Sequence, residues 1–302
     1  RENSLENFKK VYYFLLEESE KKLSKKTLEI AAVTGLVNSL DPYSKYMDAE
    51  SFKKSMSETE GIYGGLGMVI TMKDKRLHVV KTIKNSPAQR AGIKPDDIFE
   101  KINGIAIKKS QVSELADKLR GKPGTKVTIT LSRPSEKKEY SYTLNREIIS
   151  IETVEYQTLK NNVGSIKITS FSKKTNDQLK KVLIIAKQDK VKGFILDLRN
   201  NPGGLLDQSV KIASHFLYHN RLVVYTQGRE PADRHKYRAK YQNSLHSTPV
   251  VILINQHSAS AAEIVAGALR DSGKALIIGE NSYGKGTVQT IFRTSDGSCL
   301  VL

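Results

Sequence analysis

The sequence predicts an α/β protein of several domains, and three patterns along its 302 residues predict it. Residues 5–58 carry apolar side chains at helical spacing, and residues 62–147 carry short alternating strands between turn signals. From about 149 onward strand and helix alternate, which argues for a largely parallel sheet with helical crossovers.

The helical pattern comes first. In LENFKKVYYFLLEES, Leu5, Phe8, Val11, Tyr12, Leu15 and Leu16 fall on one helical face. A second segment, TLEIAAVTGLVNSL, stops before Asp41 and Pro42. Two such helices are too thin to bury a core, so they must pack on the rest of the chain or on a second copy.

In the middle unit, LGMVITM, LHVVKTI, DIFEKING and KVTITLSR read as strands. The helix SQVSELADKLRG lies between the last two and stops at Gly121, and SPAQRAGIKPDD is a turn-rich connection around a short helix. In the last unit VGSIKITSF, KGFILDL, PVVILIN and KALIIG are strands. NDQLKKVLIIAKQDK, LLDQSVKIASHFL and SAAEIVAGALRDSG are the helices between and after them. The expected boundaries are a helical region at 1–60, a β-rich domain at 61–148 and an α/β core at 149–302.

Composition excludes several function classes. A hydrophobic fraction of 38% and a charged fraction of 27% describe a globular chain with a polar surface. No run approaches the roughly 20 apolar residues of a membrane span. No signal peptide is visible, and the opening RENSLENFKK without an initiator Met reads as a processed or trimmed product. The net charge of +17 is spread along the chain with no basic block and no interleaved aromatics. It reads as a lysine-rich solvated surface, with no nucleic acid expected. The single cysteine, Cys299, cannot form an internal disulfide and sits in an apolar run, as a buried inert thiol would.

Open sheets of this class place ligands at the carboxyl ends of their strands. Three loops sit there: RNNPGG (199–204), NQHSAS (255–260) and ENSYGKG (280–286). The stretch GENSYGKGT (279–287) nearly fits a phosphate-binding loop, with Gly279, Gly284 and Lys285 in place. Gly286 then stands where a Ser or Thr must hold magnesium, so the nucleotide reading fails and no metal or cofactor is expected. Ser260 opens a helix, where orphan N–H groups and the helix dipole favour an anion. It suits a nucleophile and equally an N-cap, and Ser258 is an equal candidate for the cap. A serine nucleophile needs a base. His257 is three residues away, with no carboxylate placed to orient its ring. Lys285 is the alternative, as in Ser–Lys hydrolases, and a lysine base must be uncharged, which takes burial or a nearby positive charge. Gly203 and Gly204 permit a close backbone approach, and their N–H groups with that of Ala261 form a candidate oxyanion hole.

Together DLRNNPGG (197–204), SASAAEI (258–264) and GKGTVQ (284–289) resemble the carboxy-terminal processing proteases, also called tail-specific proteases. In that family a lysine lies 25 residues after the nucleophilic serine and a glutamine four beyond it. Both offsets hold here, so the resemblance implies Ser260 as nucleophile, Lys285 as base and Gln289 as the residue that orients the lysine. VNSLDPYSKYMDAESF (37–52) is similar to the family's connecting string, and 62–147 is similar to its PDZ domain. The resemblance implies that Tyr63, Gly64, Gly65, Leu66 and Gly67 bind a terminal carboxylate, with Arg120 coupling that domain to substrate. A Gly-rich loop leading into a strand presents successive N–H groups in this way. The implied core is a ββα, crotonase-like peptidase fold. The implied function is a serine endopeptidase that takes protein C-termini, the alternative being a catalytically silent PDZ scaffold. Also implied are a homodimer through the N-terminal helices and export to the periplasmic or membrane-associated side of a bacterial envelope. Family members continue past TVQTIF, so the core is expected to be truncated at Leu302, leaving support for the Lys285 loop as a question for the structure.

Overall fold

The structure is a computed structural model that describes residues 2–18, 23–107, 112–242 and 245–302. The expected helix starting at Ser110 and Gln111, and Ser19 at the end of the first helix, reach outside these residues. The chain divides into two compact units, residues 1–56 with 286–302 and residues 57–285.

The first unit holds helices Glu2–Glu18 and Lys25–Asn38 and the part of helix Ala49–Glu60 up to Met56. Ser24 caps the second by accepting a hydrogen bond from the Thr27 N–H at 3.1 Å. Strands Lys45–Met47, Cys299–Val301 and Ile291–Arg293 form a small antiparallel sheet in that order. Phe52, Cys299 and Val301 are its buried core, joined by Met47 and Met56. The sequence places 286–302 within the α/β core. In the structure the closing strands pair with Lys45–Met47, a partner some 250 residues back that no local pattern announces. Cys299 is buried, as its apolar run indicates. On the first helix Leu5, Phe8, Val11 and Phe14 are exposed.

The second unit contains both a β-rich and an α/β assembly. Met68–Lys73, Arg76–Thr82, Ile98–Ile102, Lys126–Arg133 and Lys138–Asn145 form one sheet in that order. Along Lys126–Arg133 every second residue is buried, so Val127, Ile129 and Leu131 share the core face with Leu77, Val79 and Leu115. The strand's last inward residue is Arg133, paired through two nitrogens with the buried Asp97 at 2.7 and 2.9 Å. Ile62–Gly65 pairs separately with Glu147–Ser150.

The α/β assembly is a five-stranded sheet: Val154–Leu159, Val163–Ile168, Gly193–Asp197, Val250–Ile254 and Ala275–Gly279 in chain order. The first pairing is antiparallel and the other three parallel, as strand–helix alternation predicts. Helices Thr175–Gln188, Leu206–Ser214 and Ala261–Asp271 supply the crossovers. Their apolar faces meet Ile166, Ile168, Leu196 and Ile252 in one core. The hairpin Leu222–Thr226 with His235–Arg238 is an element the sequence patterns do not announce.

One polar group in this core sets a pH limit. The His215 ring places Nε2 3.0 Å from Asn176 Oδ1, which needs the Nε2–H tautomer because a carbonyl oxygen only accepts. Its ring packs on Tyr241 with centroids 4.5 Å apart, and the Lys180 ammonium lies over the same tyrosine. Burial first, then the Lys180 charge, pushes His215 from its ordinary 6.5 down to about 4. The unfolded chain therefore binds the extra proton first as pH falls. Stability should drop between pH 6.5 and about 4, by roughly 3 kcal/mol in all. Urea unfolding at several pH values checks this, and His215→Gln should flatten that part of the profile.

Candidate active site

Three loops leave the carboxyl ends of adjacent parallel strands. Asp197 pairs with Leu253, and Ile254 with Gly279, so residues 199–204, 255–260 and 280–286 emerge side by side. The Glu280 N–H still reaches Ile254 O at 3.3 Å before the third loop departs.

Ser260 immediately precedes helix Ala261–Asp271, with φ 53° and ψ −114°. An N-cap residue normally sits in the β region. A non-glycine residue held at positive φ is strained by about 1–3 kcal/mol, and the nucleophile elbow of other hydrolases shows the same kind of sharp strand-to-helix turn. Ser258 does not cap this helix. It is buried, its Oγ–H donates to Leu198 O at 2.7 Å and its oxygen accepts the Asn255 N–H at 3.0 Å. It fastens the second loop to the end of the neighbouring strand. His257 is exposed, and its ring makes no hydrogen bond among the described residues.

The glycine loop lies against this turn. A Cβ on Gly203 would stand 2.8 Å from Ser260 Cβ and 3.0 Å from Ala261 N, so only glycine at φ 100° lets the loop come so close. Asn201 fixes the loop from beneath: it is fully buried, donates to Ile168 O at 2.7 Å and accepts the Gly203 N–H on Oδ1 at 2.9 Å. The expectation that either glycine offers its N–H thereby narrows to Gly204. The N–H groups of Gly204 and Ala261 have no acceptor among the described residues. The Gly203 carbonyl accepts from Phe171 N at 2.9 Å, so the planar trans peptide directs the Gly204 N–H away from Phe171.

Lys285 is half-buried in the third loop. Its backbone N–H donates to Glu263 Oε2 at 3.0 Å, and the Ser260 N–H donates to the same oxygen at 2.7 Å. Two bonds to one atom bring the backbones of Ser260 and Lys285 together. The other carboxylate oxygen, Oε1, accepts Ser282 Oγ–H and Gly284 N–H, each at 2.7 Å. Burial alone would raise the Glu263 pKa. The four hydrogen bonds, led by Ser282, overcome that and hold it below the usual carboxylate range. Glu263 is the site residue that motif reading missed. Its signal was present as the S-x-x-E string of a capping box at 260–263. Glu263 and Ile264 also line a groove of about 890 Å³, together with Leu222–Tyr225. Gln289 belongs to the first unit, where its Nε2 donates to Tyr43 O.

In the β-rich assembly, Tyr63, Leu66, Met68, Ile70, Leu119 and Arg120 line a small cavity of about 100 Å³. The Leu66 and Gly67 carbonyls are taken by Ala88 N and Ile83 N, while the N–H groups of Leu66 and Gly67 have no acceptor among the described residues. Gly64 is held to Gly121, whose N–H donates to Gly64 O at 3.0 Å, and a Cβ on Gly64 would strike Gly121 O. The Arg120 guanidinium lies 5.1 Å from the Tyr63 ring centroid, and burial raises the Tyr63 phenol pKa against the opposing effect of that charge.

Among the described residues no cluster of His, Cys, Asp and Glu could hold a metal ion, and no helix is long and apolar enough to cross a membrane.

Residues 162–302 match peptidase family S41, and residues 78–133 match the PDZ domain. A carboxy-terminal-processing protease of Bartonella bacilliformis is 40% identical over 275 residues, 90% of this chain and 63% of that protein. A probable CtpA-like serine protease of Staphylococcus saprophyticus is 37% identical over 299 residues, 99% of this chain and 60% of its own length. The chain thus spans about three fifths of these relatives. Among solved structures, the photosystem II D1 C-terminal processing protease superposes with a TM-score of 0.52 at 25% identity, covering 98% of this chain and 80% of that one. With this fold, these loops and these relatives, residues 162–302 are identified as a peptidase family S41 domain and residues 78–133 as a PDZ domain.

Proposed function

We propose that the protein is a serine endopeptidase that cleaves polypeptides captured by their C-terminal tails. The observation that carries this reading is the meeting of Ser260 and Lys285 on one Glu263 oxygen, with Ser260 in a strained turn at a helix N-terminus. Uncharged Lys285 takes the proton from Ser260 Oγ as that oxygen attacks the scissile carbonyl. The N–H groups of Ala261 and Gly204 stabilise the oxyanion. The lysine ammonium then protonates the leaving amine, and water, deprotonated by the same amine, releases the acyl group. For Gln289 the support for a role in orienting the lysine is the family resemblance alone. No cofactor enters this chemistry.

Leu66 and Gly67 offer two N–H groups beside an apolar cavity, which suits a terminal carboxylate followed by a small aliphatic side chain. Arg120, stacked on Tyr63, borders the same cavity and is placed to sense its occupant. The exposed apolar face of the first helix suits a second copy of the chain, and the family resemblance favours work outside the cytoplasm of a bacterium.

A fluorophosphonate probe tests the reading. The intact protein should be labelled on one serine, and Ser260→Ala should abolish both labelling and cleavage of a peptide with a free apolar C-terminus. Binding of that peptide without labelling or cleavage would favour a silent PDZ scaffold instead.

A further inference from the structure

We propose that Glu263 is the positioning residue of this site, one carboxylate that holds the strained Ser260 turn and the Lys285 loop in fixed register. The inference rests on the Ser260–Lys285 reading above.

An ionised carboxylate offers about four lone-pair positions, and all four are used. One bond comes from the helix start, the Ser260 N–H, and three come from the loop, through Ser282 Oγ, Gly284 N and Lys285 N. A capping box explains the first bond alone. It gives no reason for three donors that lie 19, 21 and 22 residues away to converge on the same side chain. Outside Glu263, the Tyr283 N–H also donates to Ser258 O at 3.0 Å between the two loops. Bonds to an ionised acceptor are about twice as strong as neutral ones, which matters where a backbone must be held against strain. The carboxylate touches backbone atoms of Ser260 and Lys285 and acts through them.

Charge and shape can be separated. Glu263→Gln keeps the volume but turns one oxygen into an N–H₂ group. With the amide nitrogen at the Oε2 position both the Ser260 and Lys285 N–H groups face another donor; at the Oε1 position the Gly284 N–H does, while the Ser282 hydroxyl can turn to accept. Misplacing a reacting group by about 1 Å costs on the order of 100-fold in rate. Acylation by a fluorophosphonate, and kcat on a peptide with a free C-terminus, should both fall by about that factor in Glu263→Gln. KM should stay within about threefold, because capture of the tail occurs elsewhere. Glu263→Ala should regain acylation when formate is added, since formate supplies both oxygens, and formamide should not replace it. Ser282→Ala, which strips a single loop bond, should slow acylation several-fold and decides the matter if the Gln variant does not fold. Wild-type acylation rates in folded Glu263→Gln or in Ser282→Ala, with Ser260 still labelled, would overturn this role and leave the dyad standing. Absence of labelling in the unmodified protein would overturn both together.

Discussion

Lys285→Ala is expected to lower kcat/KM on a C-terminally free peptide by roughly 10³- to 10⁴-fold, the range for loss of a catalytic base. Melting temperature should barely change. The bond that anchors this loop residue to Glu263 is made by the backbone N–H, which the substitution leaves in place. What disappears is the amine. Lys285→Arg separates two roles that amine could play. A guanidinium keeps the positive charge, reaches as far and cannot be deprotonated in a protein. If the lysine acts only as a fixed charge, arginine should retain much of the activity. If it acts as a base, arginine should be as inactive as alanine. Single-turnover acylation with a chromogenic ester distinguishes these outcomes without interference from product release. Substantial turnover by Lys285→Arg would remove the base role and return attention to another group.

Much of this arrangement was legible in the sequence, for reasons that can be assigned. Ser260 and Lys285 were recoverable because each sits in a local string whose spacing survives unaligned reading. The parallel sheet was recoverable because buried strands such as PVVILIN and amphipathic helices differ in period. The decision between N-cap and nucleophile was not, because both readings share one residue type at one position. The backbone angles at Ser260, and the burial of Ser258 on Leu198 O, show only that Ser260 and not Ser258 opens the helix. Glu263 was in plain view but unassigned, since three of its four partners come from a loop some 20 residues on. Asn201 reads as part of an ordinary Asn-Pro-Gly turn, and only the structure reveals that its buried side chain accepts the Gly203 N–H. The pairing of Cys299–Val301 with Lys45–Met47 depends on contacts between the two ends of the chain, which short strands of three residues do not encode locally.

Gly203→Ala should be strongly damaging to activity. The added Cβ would lie 2.7 Å from Ala259 O, 2.8 Å from Ser260 Cβ and 3.0 Å from Ala261 N. Two of these are backbone atoms that cannot rotate aside, and the third belongs to the Ser260 side chain. The φ of 100° adds strain of its own for any residue with a Cβ. The loop must therefore recoil from the Ser260 turn, taking the adjacent Gly204 N–H with it. Loss of one oxyanion donor costs roughly 10²- to 10³-fold in kcat. Stability should fall by only about 1–3 kcal/mol, since the loop's other anchors, Asn201 on Ile168 O and Phe171 N on Gly203 O, lie on the far side. Gly286→Ala, next to Lys285, is the matched control: a Cβ there meets nothing within 4 Å and should leave turnover unchanged. Probe binding without acylation in Gly203→Ala, beside normal acylation in Gly286→Ala, would locate the defect in the oxyanion hole. Normal acylation in both would mean that the glycine loop does not serve the reacting carbonyl at all.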